Sequence, residues 1–132
     1  MAAGYYSFLI EQGATTEFEL QYKDSNDVPI DLSGYSARMQ IKSNFSDDNP
    51  IIYATLSSSI LPDGTGLNLA GIDGLNPPSS GTIGVYISAT TSSLFTFDTA
   101  KYDIELYNPV GNDIYTVRLL EGLVKLSKEV TR

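Results

Sequence analysis

Residues 98–107 read Asp-Thr-Ala-Lys-Tyr-Asp-Ile-Glu-Leu-Tyr, and this stretch decides the fold class. Its second half alternates between two sets of side chains, Tyr102, Ile104 and Leu106 in one and Asp103, Glu105 and Tyr107 in the other. A period of two is typical of a β-strand that buries one face and exposes the other. The stretch therefore predicts a strand at the surface of a β-rich core.

The spacing from Asp98 to Ile104 also matches the tyrosine corner of immunoglobulin-like domains. In that motif a tyrosine hydroxyl bonds back to the backbone at a strand corner, two residues before a core position. Tyr102 occupies the tyrosine position here, and Ile104 occupies the place where antibody domains have a cysteine. This spacing predicts an immunoglobulin-like arrangement of strands.

The same alternation recurs along the chain, so we expect further strands. The apolar members of three such segments are Phe18, Leu20 and Tyr22, then Ala37, Met39 and Ile41, then Ile83, Val85 and Ile87. Shorter candidate strands are Tyr6 to Ile10, Ile51 to Leu56, Ile114 to Leu120 and Leu123 to Leu126. Short strands at near-regular spacing, separated by Asp, Asn, Gly and Pro turns, are typical of a sandwich.

The predicted fold is all-β: a single domain over residues 1–132, folded as an immunoglobulin-like antiparallel β-sandwich of about seven to nine strands. One short helical turn is expected within Ala89 to Leu94. Residues 1–6 are expected to form a flexible N-terminal arm. Residues 62–81, which include Pro77-Pro78 and several glycines, are expected to form a long surface loop.

Composition excludes several classes of function. The 132 residues carry a net charge of −8, and the 8 Lys and Arg residues are scattered. Nucleic-acid binding needs clustered cations, and an anionic membrane would repel the chain, so neither partner is expected. There are no cysteines, and no signal peptide or membrane span is visible, so synthesis in the cytoplasm is expected.

Catalytic, cofactor and metal sites are not predicted. Without His or Cys, nucleophilic catalysis would need a Ser-Lys pair, yet the lysines fall on predicted wet faces, at strand starts or near the terminus. The oxygen-rich loops at Asp24, Asn26 and Asp27 and at residues 47–49 lack the EF-hand spacing. Both loops are therefore interpreted as turns, with a calcium ion bound at a loop end as the alternative, and the chain is interpreted as a non-enzyme with no cofactor.

Protein contact is the function that the aromatic residues favour. The candidate interface residues are Tyr5, Tyr6, Arg38, Tyr86 and Tyr107. Tyr86 and Tyr107 fall on predicted wet faces, and Tyr5 and Tyr6 lie in the predicted arm, which would be suited to adding to the edge of a neighbour's sheet. Arg38, on an outer face, is expected to pair with Glu17 or Glu19 or to face a neighbouring subunit.

Four segments of the chain resemble small virion proteins of tailed phages. They are Ile10-Glu-Gln-Gly-Ala-Thr15, Phe18-Glu-Leu-Gln-Tyr-Lys-Asp24, Pro29-Ile-Asp-Leu-Ser-Gly-Tyr-Ser-Ala-Arg-Met-Gln-Ile-Lys42 and the closing Leu119 to Thr131. The similarity is closest to structural proteins of cyanobacterial myophages. It is weaker to the N-terminal domain of siphophage baseplate upper proteins. The resemblance implies an immunoglobulin-like sandwich in the virion, in the tail or baseplate. One departure is that the family's Asp-Gly turn reads Asn26-Asp27 here, so either the turn is a longer type without a left-handed residue or Asn26 adopts that conformation.

The sequence leaves alternatives open. The leading expectation is a tail or baseplate protein that binds other phage structural proteins in multiple symmetric copies. A capsid decoration protein of the same fold is the second reading, because such proteins are also small and β-rich. A module that binds host-surface glycans is the third, and the lack of Trp weighs against it.

Overall fold

The computed structural model describes residues 4–43, 50–110 and 113–128. These residues form nine strands and one four-residue α-helical turn, α1. The strands are β1 (Gly4–Tyr5), β2 (Phe8–Glu11), β3 (Thr16–Gln21), β4 (Ser36–Lys42), β5 (Ile52–Ser57), β6 (Gly66–Asn68), β7 (Thr82–Ile87), β8 (Thr99–Val110) and β9 (Asp113–Ser127), and α1 is Ala89–Ser92. The predicted helical turn is thus present between β7 and β8.

The strands form two sheets packed face to face, which confirms the all-β sandwich. The larger sheet has the order β1-β9-β8-β4-β5, and β2 also pairs with β9; the smaller sheet has the order β3-β7-β6. In the lettering of immunoglobulin domains, β3, β7 and β6 correspond to strands B, E and D. The strands β9, β8, β4 and β5 correspond to G, F, C and C′, so the connectivity is immunoglobulin-like.

The core lies between the sheets and is formed by the apolar members of each alternating segment. Met39, Val85 and Ile104 have no exposed surface. Leu32 is only 2% exposed, and it enters the end of the sandwich from the turn that Gly34 completes in a left-handed conformation (φ 79°). Alternation therefore identified the buried faces of β3, β4, β7 and β8.

The last strand is longer than the sequence pattern indicated. Residues 113–127 form one strand, β9, where two shorter candidate strands had been predicted. Ile104 pairs with Leu120 whereas Glu105 pairs with Arg118, so Leu119 is an extra residue that forms a β-bulge. The break between the two predicted segments is Glu121-Gly122, and it was predicted because glycine is unfavourable inside a strand; here Gly122 lies within β9, next to the backbone carbonyl of Tyr6.

Two predicted irregular segments are partly ordered in sheets. Gly4 and Tyr5 pair in parallel with β9, and Tyr6 N donates to Glu121 O at 2.9 Å, so residues 4–6 are not an arm. The predicted loop 62–81 contains β6 and a 3-10 turn, Pro78–Ser80, and its Leu67 is fully buried opposite Val85. Both predictions failed for the same reason. The backbone N–H and C=O groups of these segments bond to other strands, and the local sequence carries no sign of that pairing.

Two local details also differ from expectation. In the turn after β3, the left-handed residue is Asp27 (φ 65°) and not Asn26, while Asp24 Oδ1 accepts hydrogen bonds from Asn26 N and Val28 N. The hydroxyl of Tyr102 does bond to a backbone carbonyl, as a tyrosine corner requires. Its acceptor, however, is the carbonyl oxygen of Tyr6 on the N-terminal strand.

Candidate interaction surface

The outer surface of the larger sheet is called the front face below. It consists of the side chains that alternate with the core positions in five strands. Its members include Tyr5, Leu9, Ser36, Arg38, Gln40, Lys42, Lys101, Asp103, Glu105, Tyr107, Arg118, Glu121, Leu123 and Lys125. Cross-strand partners share a face of a sheet, so the registers place all of these side chains on one side.

Arg38 and Tyr107 meet at one end of the front face. Arg38 Nε lies 3.1 Å from Glu105 Oε1, and its guanidinium carbon lies 4.9 Å from the centre of the Tyr107 ring. The expected pairing of Arg38 with Glu17 or Glu19 is wrong, because β4 pairs with β8 and β3 belongs to the other sheet. One ion pair and one cation–π contact thus hold the guanidinium beside Glu105 and Tyr107.

A second charge group lies at the middle of the front face. Arg118 Nε lies 3.5 Å from Asp103 Oδ2, and Arg118 Nη1 lies 3.9 Å from Glu121 Oε2. Burial raises the pKa of the Asp103 carboxyl above its usual value, the charge of Glu105 adds to that shift, and Arg118 opposes it. The middle of the face thus holds partly desolvated carboxylates that arginines compensate.

The opposite end of the front face is apolar and basic. Tyr5 is 68% exposed and Leu9 is 53% exposed, although both belong to strands paired with β9. Leu123 lies between them on β9, and Lys101 and Lys125 line the same shallow grooves. Exposed apolar side chains bordered by polar groups are typical of a surface that binds another protein.

The other two predicted interface residues lie elsewhere. Tyr86 is on the outer surface of the smaller sheet, where a Cβ on Gly64 would lie 3.0 Å from its ring. Tyr6 closes the open edge of the sandwich, with its ring centre 5.7 Å from that of Phe18 and 6.4 Å from that of Phe8. The structure therefore places Arg38, Tyr107 and Tyr5 on one face and separates Tyr6 and Tyr86 from them.

Sequence reasoning missed Leu9, Leu123, Lys101 and Lys125 as members of this surface. A signal existed for three of them, since positions 101, 123 and 125 alternate with core residues of their strands. Nothing local indicated that Leu9 lies beside Lys125. Their proximity depends on the parallel register of β2 with β9, which joins segments more than a hundred residues apart.

A polar cluster at the start of α1 has a structural role. Asp63 Oδ2 accepts hydrogen bonds from Ser88 Oγ at 2.6 Å and Thr91 Oγ1 at 3.0 Å, and Asp63 Oδ1 accepts from Thr65 N. These bonds, the one from Ser88 above all, lower the pKa of Asp63 to about 2. Such a carboxylate is a poor proton acceptor, and Ser88 Oγ also caps α1 by accepting from Thr91 N. The cluster is therefore better suited to capping α1 than to activating the Ser88 hydroxyl as a nucleophile.

No group of three or more His, Cys, Asp or Glu side chains is placed to share a metal ion among the residues that the structure describes. This includes the loop of Asp24 and Asp27, whereas the loop at residues 47–49 lies outside the described residues. Within the same residues, no helix has the length and apolar character needed to cross a membrane.

Comparison with known proteins gave no relatives: no protein-family model matches the chain, and no curated protein matches it significantly.

Proposed function

We propose that this chain is a non-enzymatic structural protein of a bacteriophage virion, located in the tail or baseplate. It acts by binding other structural proteins of the particle, in multiple symmetric copies, after synthesis in the host cytoplasm. Its mechanism is surface complementarity without turnover. The proposal joins the resemblance of residues 10–42 and 119–131 to phage virion proteins with the character of the front face.

The observation that carries the proposal is the apolar end of that face. Tyr5 at 68% exposure and Leu9 at 53% lie beside Leu123 on a rigid, strand-paired surface. Holding such side chains in water is unfavourable by about 25 cal/mol for each Å² of apolar area, which a bound partner would recover. Tyrosine in particular supplies a large contact area with few rotatable bonds. A protein that works by contact needs this kind of surface.

The polar groups of the molecule are engaged in ways that fit a structural role. Ser88 and Asp63 cap a turn, and the carboxylates of the front face are paired with Arg38 and Arg118. Each of these groups contacts a neighbour in the same chain. A rigid scaffold that presents fixed side chains is what assembly requires.

A nonsense codon in the gene tests this proposal in the genome that encodes the chain, with the wild-type gene supplied in trans as the matched control. We expect non-infectious particles with missing or incomplete tails, seen by negative-stain electron microscopy, and full rescue by the trans copy. Complete tails on fragile heads would instead indicate that the chain is a capsid decoration protein. Normal yield and normal infectivity would contradict a structural role altogether.

A further inference from the structure

Positive charge is concentrated on the front face. Seven Lys and Arg side chains belong to residues 4–43, 50–110 and 113–128, and five of them lie on this one surface: Arg38, Lys42, Lys101, Arg118 and Lys125. Four carboxylates share it, namely Glu11, Asp103, Glu105 and Glu121, so its cations outnumber its carboxylates by five to four. The front face therefore has an excess of positive charge in a chain whose net charge is −8.

The outer surface of the smaller sheet, called the back face below, has the opposite character. The outward side chains of β3 include Glu17 and Glu19, and none of the strands β3, β6 and β7 contains a Lys or Arg. Glu17 lies directly opposite Tyr86 across the sheet. Beside that ring, Ile60 and Ile72 line a shallow groove of about 250 Å³. The back face thus combines carboxylates with an exposed apolar groove.

We propose that the front face of one copy of this chain binds the back face of a second copy. The two surfaces match in both of the properties that govern protein association. The lysines at the apolar end of the front face meet Glu17 and Glu19, and the exposed Tyr5 and Leu9 meet the groove beside Tyr86. Opposite charges on facing surfaces set the orientation, and the apolar contacts supply most of the affinity.

Lys42 and Lys101 are direct cross-strand partners, and Lys101 lies opposite Leu123, so the register places two cations beside the apolar end of the front face. The net charge of −8 makes two copies repel each other at longer range, but salt screens this repulsion beyond about 8 Å at physiological ionic strength.

Such an interface is heterologous, because each copy uses a different surface. Heterologous contacts propagate head to tail and close into rings when the rotation between neighbours permits it. Assembly into rings is suited to a tube-like tail or baseplate. The inference thus deepens the proposed function, on which it rests, by naming a second copy of this chain as one partner.

Charge reversal of each face in the full chain tests the proposal. The front variant is Lys101→Glu with Lys125→Glu, and the back variant is Glu17→Lys with Glu19→Gln. The glutamine at position 19 retains the oxygen that accepts the hydrogen bond from Ile72 N at 2.7 Å. The control is Lys128→Glu, which reverses a cation whose ion pair with Asp98 lies outside both faces.

Sedimentation velocity over a range of concentrations is the measurement. The wild type and the control are expected to associate, with a sedimentation coefficient that rises with concentration. In each variant alone, two faces of like charge meet, and we expect the dissociation constant to rise by about tenfold or more. An equimolar mixture of the two variants restores opposite charges at every contact, so association is expected to return. Circular dichroism and thermal melting establish that each variant is folded.

A wild-type chain that stays monomeric at all concentrations would overturn the inference, as would variants that associate like the wild type or a mixture that stays monomeric. This failure is distinguishable from failure of the proposed function. A monomeric chain that is nevertheless found in virions would leave the structural role intact and assign its partner to another protein. If the pure chain associates but is absent from virions, the contact between copies stands and the structural role in the virion fails.

Discussion

The hydroxyl of Tyr102 on β8 donates a hydrogen bond to the backbone carbonyl oxygen of Tyr6, which lies 96 residues earlier in the chain. Burial raises the pKa of this hydroxyl, so it remains a donor across the physiological range. The carbonyl points inward where the chain passes from β1 to β2. The bond therefore fixes the N-terminal strand against the sheet that forms the front face, and it positions Tyr5 and Leu9 on that face.

Tyr102→Phe tests this bond. The ring and its edge contact with Phe8 remain, but the carbonyl of Tyr6 loses its donor, and an unsatisfied buried polar group destabilises a protein by about 1–3 kcal/mol. Urea unfolding followed by circular dichroism measures the change. The control is Tyr107→Phe on the front face, which is expected to alter the free energy of unfolding by less than about 0.5 kcal/mol. Equal values for the two variants would show that the hydroxyl of Tyr102 contributes nothing.

Gly122→Ala tests how closely the N-terminal strand approaches β9. A Cβ at position 122 would overlap the carbonyl of Tyr6, which is backbone and cannot rotate away. We expect destabilisation by about 1–3 kcal/mol, with faster amide hydrogen exchange at Tyr6, whose N–H bonds to Glu121. In the control Gly4→Ala, the new Cβ meets a methyl group of Leu120 at 3.3 Å, and stability should change by less than about 0.5 kcal/mol. Unchanged exchange at Tyr6 in the first variant would contradict the close approach.

The pH dependence of stability should report on Asp63. Its pKa in the folded protein is about 2, against an ordinary value of 3.8, so the unfolded state binds more protons between those values. Stability from this group is therefore fully present above about pH 4 and is lost as the pH falls toward 2. Asp63→Asn should flatten this part of the curve of unfolding free energy against pH. Ser88→Ala should flatten it partly, because Ser88 is the largest cause of the shift. Three superimposable curves would refute the assignment.

The Arg38–Glu105 pair should contribute little to the stability of the monomer. The side chain of Arg38 is 48% exposed, and exposed ion pairs are worth about 0–1 kcal/mol. A double-mutant cycle with Arg38→Ala and Glu105→Ala, measured by urea unfolding of the monomer, should give a coupling energy below about 1 kcal/mol. A coupling above about 2 kcal/mol would mean that the pair is structural, and that Arg38 is not simply displayed on the front face.

The buried faces of the sheets could be predicted from the sequence because burial there alternates with the local period. Met39 and Ile104, for example, lie between charged or amide neighbours and are fully buried. Three features could not be predicted in this way. The parallel pairing of Gly4 with Leu120 has no local signal, β6 is too short to show a period, and the bulge at Leu119 interrupts the period in β9.

The candidate surface shows the same division. Arg38 and Tyr107 were identifiable as outward residues, since each alternates with core positions in its own strand. Their contact depends on the register of β4 against β8, in which Ser36 pairs with Tyr107 and Arg38 with Glu105. Tyr6 was predicted to lie in a flexible arm because the sequence does not show that its ring packs on Phe18. The position of a side chain in its own strand therefore predicted whether it faces outward, but the side chains that it contacts depend on how the strands pair.

The measurement that tests the central proposal most directly is quantitative mass spectrometry of this polypeptide in purified virions, after separation of heads from tails. The amounts are normalised to the major head and tail proteins of the same particles. We predict that the chain follows the tails at about six to a few dozen copies per particle, as expected for symmetric rings. Hundreds of copies on the heads would move it to the capsid, and absence from both fractions would contradict a structural role in the virion.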